Sequence, residues 1–252
     1  MISVIIPTCD RPSLYLRKAV LSALQQSQRP AEVIVVDNGT RPADSAALPN
    51  AVTLHRLPPR IGVSRARNYG AAMARGTHLA FLDDDDWWDI NFLREACAVL
   101  NDEGTRCAYG RLDLLRDELI EPFKCASAET LTVPVLLRRN PGTSGQNLII
   151  EKALFWYVGG FDTSLQTSED KALAVEVLRA GEKISVARSA IAIMRSHGGD
   201  RLSSARLRKL RFVWRYRALY GPLGALAEAG RILRQVSKDR LRGCVDGLRS
   251  KG

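Results

Sequence analysis

Thr77-His-Leu-Ala-Phe-Leu-Asp-Asp-Asp-Asp-Trp-Trp88 decides how this chain is read: an apolar run ends abruptly in four carboxylates, and two tryptophans close it. Leu79 to Leu82 reads as a strand covered on both faces, the pattern of a parallel sheet with helices on either side. Ligands of such sheets collect beyond the carboxyl ends of the strands, and Asp83 to Asp86 stand at that end. Adjacent negative charges repel one another. Hard carboxylate oxygens relieve the repulsion by holding Mg²⁺ or Mn²⁺, which in turn accept phosphate oxygens. Two plainer readings compete: a solvated acidic turn, and Asp86 as the cap of a helix whose apolar run starts at Ile90.

Outward from this strand the elements alternate. Ile2 to Ile6 is a β-branched run stopped by Pro7, and Leu14, Val20, Leu21 and Leu24 recur at helical spacing behind Ser13 as a cap. Val33 to Val36 ends at the turn signal Asp37-Asn38-Gly39. A strand over Val52 to Leu57 and a helix from about Ser64 to Ala74 then lead to the Leu79 strand. Such alternation predicts an α/β fold with a parallel sheet. Beyond it the spacing predicts a helix from Ile90 to Glu103 stopped by Gly104, a strand from Cys107 to Leu115, and a loop from Glu118 to Ala128. A strand over Gln146 to Ile150 and a helix from Glu169 to Ala180, closed by Gly181, follow.

At 252 residues with 46% hydrophobic side chains, the chain fits one large domain, or one domain with an appendage, around a real core. Its net charge of +10 is unevenly spread. Residues 201–252 hold 14 Lys+Arg against 3 Asp+Glu, leaving 23 against 24 in residues 1–200. The body is therefore near neutral, and its function is separate from whatever the basic tail binds. In that tail Leu207, Leu210, Trp214 and Ala218 form an apolar stripe among Arg206, Arg208, Lys209, Arg211, Arg215 and Arg217; a second stripe runs through Leu226, Leu233 and Val236. This predicts either a peripheral site on an anionic membrane, through residues 206–242, or helices packed on the catalytic domain or a second subunit.

Five cysteines without paired spacing suggest neither a disulfide framework nor a zinc site, and point to a reducing compartment. The start, Met1 to Pro7, shows no basic leader, and no window reaches the ~18 apolar residues of a membrane span. The expected location is the cytoplasm, peripheral on the inner face of the cell membrane where the tail binds it. Pro7-Thr8-Cys9-Asp10 stands where a dinucleotide-binding fold has its Gly-rich turn, and no Walker-type Gly-Lys-Ser/Thr is present. A bound nucleotide would need its pyrophosphate neutralised by another agent, and an aspartate-held divalent ion is the obvious one.

Four separated patches carry the candidate chemistry. Asp37 could accept hydrogen bonds from a base or sugar, or could serve only its turn. Arg65-Ala-Arg67-Asn68 could face a ligand or be an exposed helical face; Asp83 to Asp86 is the third patch. Ser168-Glu169-Asp170 opens a helix, where acids are also ordinary dipole complements.

Ser3-Val-Ile-Ile-Pro-Thr8, Val35-Val-Asp-Asn-Gly-Thr40, Ala66-Arg-Asn-Tyr-Gly70, Phe81-Leu-Asp-Asp-Asp-Asp86, Gly159-Gly-Phe-Asp162, Glu169-Asp170 and Arg195-Ser-His197 follow one another in an order that resembles the family-2 glycosyltransferases. These are inverting enzymes of the GT-A fold, a Rossmann-like, mostly parallel central sheet flanked by helices. The resemblance covers roughly residues 1–204, implying a catalytic domain there and a basic helical extension over 205–252. It implies a nucleotide-diphosphate sugar as donor, with Asp37 on the base, Arg67 in the same pocket, and Pro7, Thr8 and Asp10 lining it. It also implies that Asp83-Asp84-Asp85 is the DxD motif, with Asp85 the direct ligand of Mn²⁺ or Mg²⁺, Asp83 nearer the ribose, and His197 a later metal or diphosphate contact. Asp170 would be the catalytic base, ionised at an ordinary pKa, with Glu169 its support.

This chain departs from the family pattern at Asn38, where many members carry a second aspartate, and at Lys171, where many carry an apolar residue. Lys171 would touch the acceptor or lower the neighbouring acid's pKa. The Gln-x-x-Arg-Trp motif of processive members is absent, so transfer of one sugar to a glycan or lipid-linked acceptor is expected, in bacterial cell-surface polysaccharide or glycolipid synthesis. Three other readings stand beside it, one of them a pseudoenzyme that only scaffolds a complex, although all the expected carboxylates are present. A metal-dependent nucleotidyltransferase would share the acidic ligands but lacks its Gly-rich loop here, and a nucleic-acid-binding protein would use the tail but leave the acidic pocket unexplained.

Overall fold

The computed structural model describes residues 1–196 and 206–249. In chain order the elements are β1 (Ile2–Thr8), α1 (Ser13–Leu24), β2 (Glu32–Asp37), β3 (Val52–Arg56), α2 (Val63–Met73), β4 (His78–Phe81), β5 (Trp87–Trp88) and α3 (Phe92–Glu103). Then come β6 (Cys107–Arg116), β7 (Leu119–Lys124), α4 (Val133–Arg138), β8 (Leu148–Glu151), α5 (Lys152–Tyr157), α6 (Glu169–Arg179), β9 (Ser185–Arg195), α7 (Lys209–Arg215), α8 (Arg217–Tyr220) and α9 (Pro222–Arg249). Two compact units result: one holds Met1–Thr163 and Glu169–Ser196, the other Ser164–Ser168 and the C-terminal helices.

The first unit is built on one sheet in the order β3-β2-β1-β4-β8-β6-β9-β5, with β7 paired to β6. Strands β3, β2, β1 and β4 run parallel, as the alternation of elements requires. The sheet then turns mixed, because β8 lies antiparallel to both β4 and β6 while β9 lies parallel to β6. The entire β1 run is buried. Val4, Ile5 and Ile6 are each fully covered, a burial of roughly 1.5–3 kcal/mol per side chain. Even-numbered Val4 and Ile6 join Leu16, Val20, Leu93 and Leu100 of α1 and α3 in the core on one face. On the other face Gly70 of α2 lies so close that an added Cβ would stand 2.5 Å from Ile5 Cγ2. Gly70→Ala is therefore expected to cost about 1–3 kcal/mol through overpacking, read as a lower midpoint in thermal unfolding.

Several sequence expectations need correction. Ser13 is the first helical residue of α1 rather than its cap, and no side chain caps that helix. The helix expected from Ile90 starts at Phe92, leaving Ile90 exposed. The loop expected over Glu118 to Ala128 contains β7, whose side chains are largely exposed; pairing with β6 supplies its hydrogen bonds where burial gives no signal. The strand expected from Gln146 begins at Leu148, after a 3₁₀ turn over Gly145–Asn147.

In the second unit the stripe Leu207, Leu210, Trp214 and Ala218 does not lie on one helix, because the chain breaks between α7 and α8 at Tyr216. Phe212, Val213, Tyr216 and Ile232 are buried instead. Leu207, Trp214, Leu223, Leu226 and Leu233 are exposed, with Arg217 over the Trp214 ring.

Candidate active site

The parallel strands set their carboxyl ends side by side. Register pairs Thr8 with Asp37 and Ile5 with Phe81, so the turn after β1, the turn after β2 and the aspartate run after β4 share one edge. Thr8 Oγ1 donates to Asp84 Oδ2 at 2.7 Å, and Arg11 Nε donates to Asp84 Oδ1 at 2.9 Å while its Nη2 lies 3.1 Å from Asp85 Oδ2. Burial pushes the Asp84 carboxyl up to about 6, although Arg11 and Thr8 pull the other way.

Asp86 is neither a solvated turn residue nor a helix cap. It is buried and accepts the backbone N–H of Arg195 at 2.9 Å, tying the aspartate loop to the end of β9. The tryptophans complete this brace: β5 pairs with β9, and Trp88 stacks on Phe92 at 4.4 Å while its Nε1 donates to Gln146 O at 2.7 Å.

The second half of the site arrives through α2. Arg67 is buried to 3% exposure, lies 5.0 Å over the Phe161 ring, and sits under Gly145, where any Cβ would collide with the guanidinium. Its Nη2 reaches Asp83 Oδ1 at 2.5 Å and its Nη1 reaches Glu169 Oε1 at 3.2 Å. One cation thus joins the aspartate loop to the first turn of α6. Next to it, Asn68 clamps the Gly159-Gly160-Phe161 turn by donating to Phe161 O at 2.8 Å and accepting from Phe161 N at 2.9 Å. Of the Ala66 to Gly70 motif, Arg67, Asn68 and Gly70 all serve packing and internal bonding.

Asp170 differs from its expectation. Its carboxyl is raised to about 7, first by burial and then by the Glu169 charge; the Lys171 backbone N–H at 2.7 Å and Arg67 oppose this without overcoming it. A helix N-terminus does not keep an acid ordinary when its neighbours are acids and water is excluded. Lys171 pulls that pKa down through its backbone N–H, though not enough to offset burial and the Glu169 charge.

Asp37, 2% exposed, is heavily occupied by its own turn. Gly39 N donates to Oδ1 at 2.8 Å, Ala43 N to Oδ2 at 2.7 Å, and Arg56 Nη1 also pairs with Oδ2. A carboxylate has about four acceptor positions, so one remains for a ligand. Asp10, at a left-handed φ of 53°, spends Oδ1 on Thr40 and Arg41. Pro7 lies inside β1 opposite Val36. His197 lies outside the described residues. Arg11 and Arg56 were missed by sequence reasoning, since no spacing ties either arginine to its carboxylate.

Could these residues hold a divalent ion? No cluster of three His, Cys, Asp or Glu ligands is gathered among the described residues. The donor set nevertheless suits Mg²⁺-type sites, which take one or two carboxylates and complete their shell with substrate phosphates and water. Asp85 and Asp83 present hard oxygens at the strand end, and Asp83 is 30% exposed.

The curled, mixed sheet flanked by helices is of the GT-A type. S. aureus TarS, solved as residues 1–349 in complex with UDP-GlcNAc, matches it with a TM-score of 0.65 and 20% identity over 92% of this chain and 71% of that one. The chain belongs to glycosyl transferase family 2, whose model matches residues 3–156. Its relatives include an uncharacterised glycosyltransferase of Rickettsia typhi, 28% identical over 71% of this chain and 59% of that protein. Another, from Haemophilus influenzae, is 30% identical over 71% and 62% respectively. The succinoglycan biosynthesis protein ExoO of Rhizobium meliloti is 30% identical over 69% and 54%. The chain thus spans little more than half the length of these relatives.

Proposed function

We propose that this chain is an inverting, metal-dependent glycosyltransferase that moves one sugar from a nucleotide-diphosphate sugar to an acceptor hydroxyl. One observation carries the metal dependence. Among the described residues, five carboxylates (Asp83, Asp84, Asp85, Glu169 and Asp170) gather around two arginines, Arg11 and Arg67. An anionic diphosphate entering such a site would meet net repulsion unless a cation came with it. Asp85, with Asp83 beside it, would hold Mn²⁺ or Mg²⁺, and His197 would be a later contact. When bound, the ion stabilises charge that develops on the departing nucleoside diphosphate. Asp37 would spend its remaining lone pair on the base, while Thr8 and Asp10 shape the rim of that pocket. Arg67 would hold Asp83 and the Glu169-Asp170 turn in one frame.

Asp170 would take the proton of the acceptor hydroxyl as it attacks the anomeric carbon from the face opposite the leaving group, with Glu169 in support. The UDP-GlcNAc complex of TarS and the name of ExoO favour a nucleotide-sugar donor and a role in cell-surface polysaccharide or glycolipid synthesis. The test is a thermal-shift panel of nucleoside diphosphates and their sugars, with Mn²⁺ and with chelator. A ligand at 100 times its dissociation constant should stabilise the fold by about 2.7 kcal/mol. Stabilisation by no member of the panel would sink the reading.

The catalytic domain would be residues 1–204, and the basic extension over 205–252 would attach it peripherally to the inner face of the cell membrane. No described helix is long and apolar enough to cross a membrane. The exposed Leu207, Trp214, Leu223, Leu226 and Leu233 on this basic segment support surface attachment. Five basic residues at an anionic surface contribute roughly 5 kcal/mol, at about 1 each. The full chain should therefore sediment with anionic liposomes at low salt, whereas a chain ending near Ser204 should not. Equal sedimentation with neutral lipid would assign the extension to packing or a partner instead.

A further inference from the structure

Arg11 grips two members of the aspartate run. Its Nε lies 2.9 Å from Asp84 Oδ1 and its Nη2 3.1 Å from Asp85 Oδ2. These two contacts differ in what backs them. Asp84 is 8% exposed and also accepts the Thr8 hydroxyl at 2.7 Å, so its carboxylate is fixed to the end of β1 on both oxygens. The Arg11 side chain is 31% exposed and can turn. The backbone that delivers it is anchored, because Asp10 adopts a left-handed φ of 53° and is bonded through Oδ1 to Thr40 and Arg41. A strained φ of this kind persists where surrounding bonds over-determine it.

Adjacent carboxylates need a counter-charge at all times, and in this structure a guanidinium provides it. The Asp85 carboxylate it holds is also the one proposed above to receive a divalent ion, with Asp83 beside it. A divalent ion arriving at this carboxylate is repelled by the guanidinium already seated 3.1 Å from Oδ2, so ion binding at Asp85 favours an exchange of one cation for the other. The released guanidinium remains at the same edge with a planar fork that matches phosphate oxygens. We propose that Arg11 is the built-in counter-cation of this site: it holds Asp84 and Asp85 before the ion arrives, yields Asp85 to the ion, and turns onto the donor's diphosphate. The proposal rests on the metal-dependent reading above. Its consequence is that the free chain binds the ion weakly and that ion and nucleotide tighten each other, since each completes the exchange.

The test uses the full chain and needs no acceptor. Mn²⁺ binding is followed by electron paramagnetic resonance, and thermal unfolding is recorded in chelator, in Mn²⁺, and in Mn²⁺ with UDP. Arg11→Met removes the competing charge while keeping a long side chain. It should bind Mn²⁺ alone at least about fivefold more tightly than the natural chain, within the usual range of coupling between sites. Its midpoint in chelator should fall and recover more on adding Mn²⁺ than the natural chain's does. UDP should then tighten Mn²⁺ less in the variant, because the diphosphate has lost its second cation. Arg11→Lys keeps the charge without the fork and should retain weak Mn²⁺ binding. It serves as the reference should Arg11→Met fail to fold, in which case Arg11→Gln takes its place. Equal Mn²⁺ affinity in the natural chain and the neutral variants would overturn the counter-cation role while leaving the metal reading intact. No Mn²⁺ binding by either, with or without UDP, would overturn both.

Discussion

Asp170→Asn is expected to lower glycosyl transfer by at least ~10²–10⁴-fold, the loss typical of a removed general base, with donor binding retained. The carboxyl is raised to about 7 by burial and the Glu169 charge, so it accepts protons best once pH has passed that value. The transfer rate should accordingly rise between pH 6 and 8 and then level. Stability has the opposite sign. A carboxyl whose folded pKa lies above its ordinary 3.8 favours the fold fully below 3.8, and that contribution is lost as pH rises through about 7. Asp170→Asn, which stays neutral, should therefore raise the melting temperature more at pH 8 than at pH 5, a difference of up to roughly 3 kcal/mol for the about two pKa units between pH 5 and 7 at 1.36 each. Glu169→Gln should affect transfer less. A larger loss at Glu169 would make that residue the base, and no loss at either would remove the mechanism.

Asp85→Ala should abolish metal-dependent donor binding. In the natural chain, calorimetry is expected to show UDP-sugar binding at least tenfold tighter in Mn²⁺ than in chelator, a difference of about 1.4 kcal/mol. The variant should show one weak affinity in both, and transfer should be lost with it. The expected cause is charge: without the ion the diphosphate would face Asp83, Asp84 and Glu169, whose arginine partners among the described residues are Arg11 and Arg67. Equal donor affinity with and without metal in the natural chain would end the assignment.

How far the sequence carries depends on the range of the physics involved. The Ile2 to Ile6, Val33 to Val36 and Leu79 to Leu82 runs announce buried parallel strands, and the parallel half of the sheet follows from them. Gly104 and Gly181 end their helices in the left-handed conformation that glycine adopts without a Cβ clash. β7 was illegible because an exposed strand has no burial pattern, and β9 because its alternation is broken by a register shift beside Gly110.

The candidate carboxylates were legible for a similar reason. Four aspartates after an apolar run are a local signal, and so are Glu169 and Asp170 opening a helix. Their partners were not. Arg67 reaches Asp83 across 16 positions and Glu169 across 102, Arg11 reaches Asp84 across 73, and Asp86 holds Arg195 across 109. Local sequence thus determined which residues are acidic, which runs are buried and where the carboxylates leave the sheet, since periodicity and chain-adjacent charge act over a few residues. Only the tertiary structure decided that Arg67 is a strut, that Arg11 covers Asp84 and Asp85, and that burial beside Glu169 raises the Asp170 carboxyl. Ion pairing and desolvation depend on what the folded chain brings within a few ångströms, which separation along the chain does not encode.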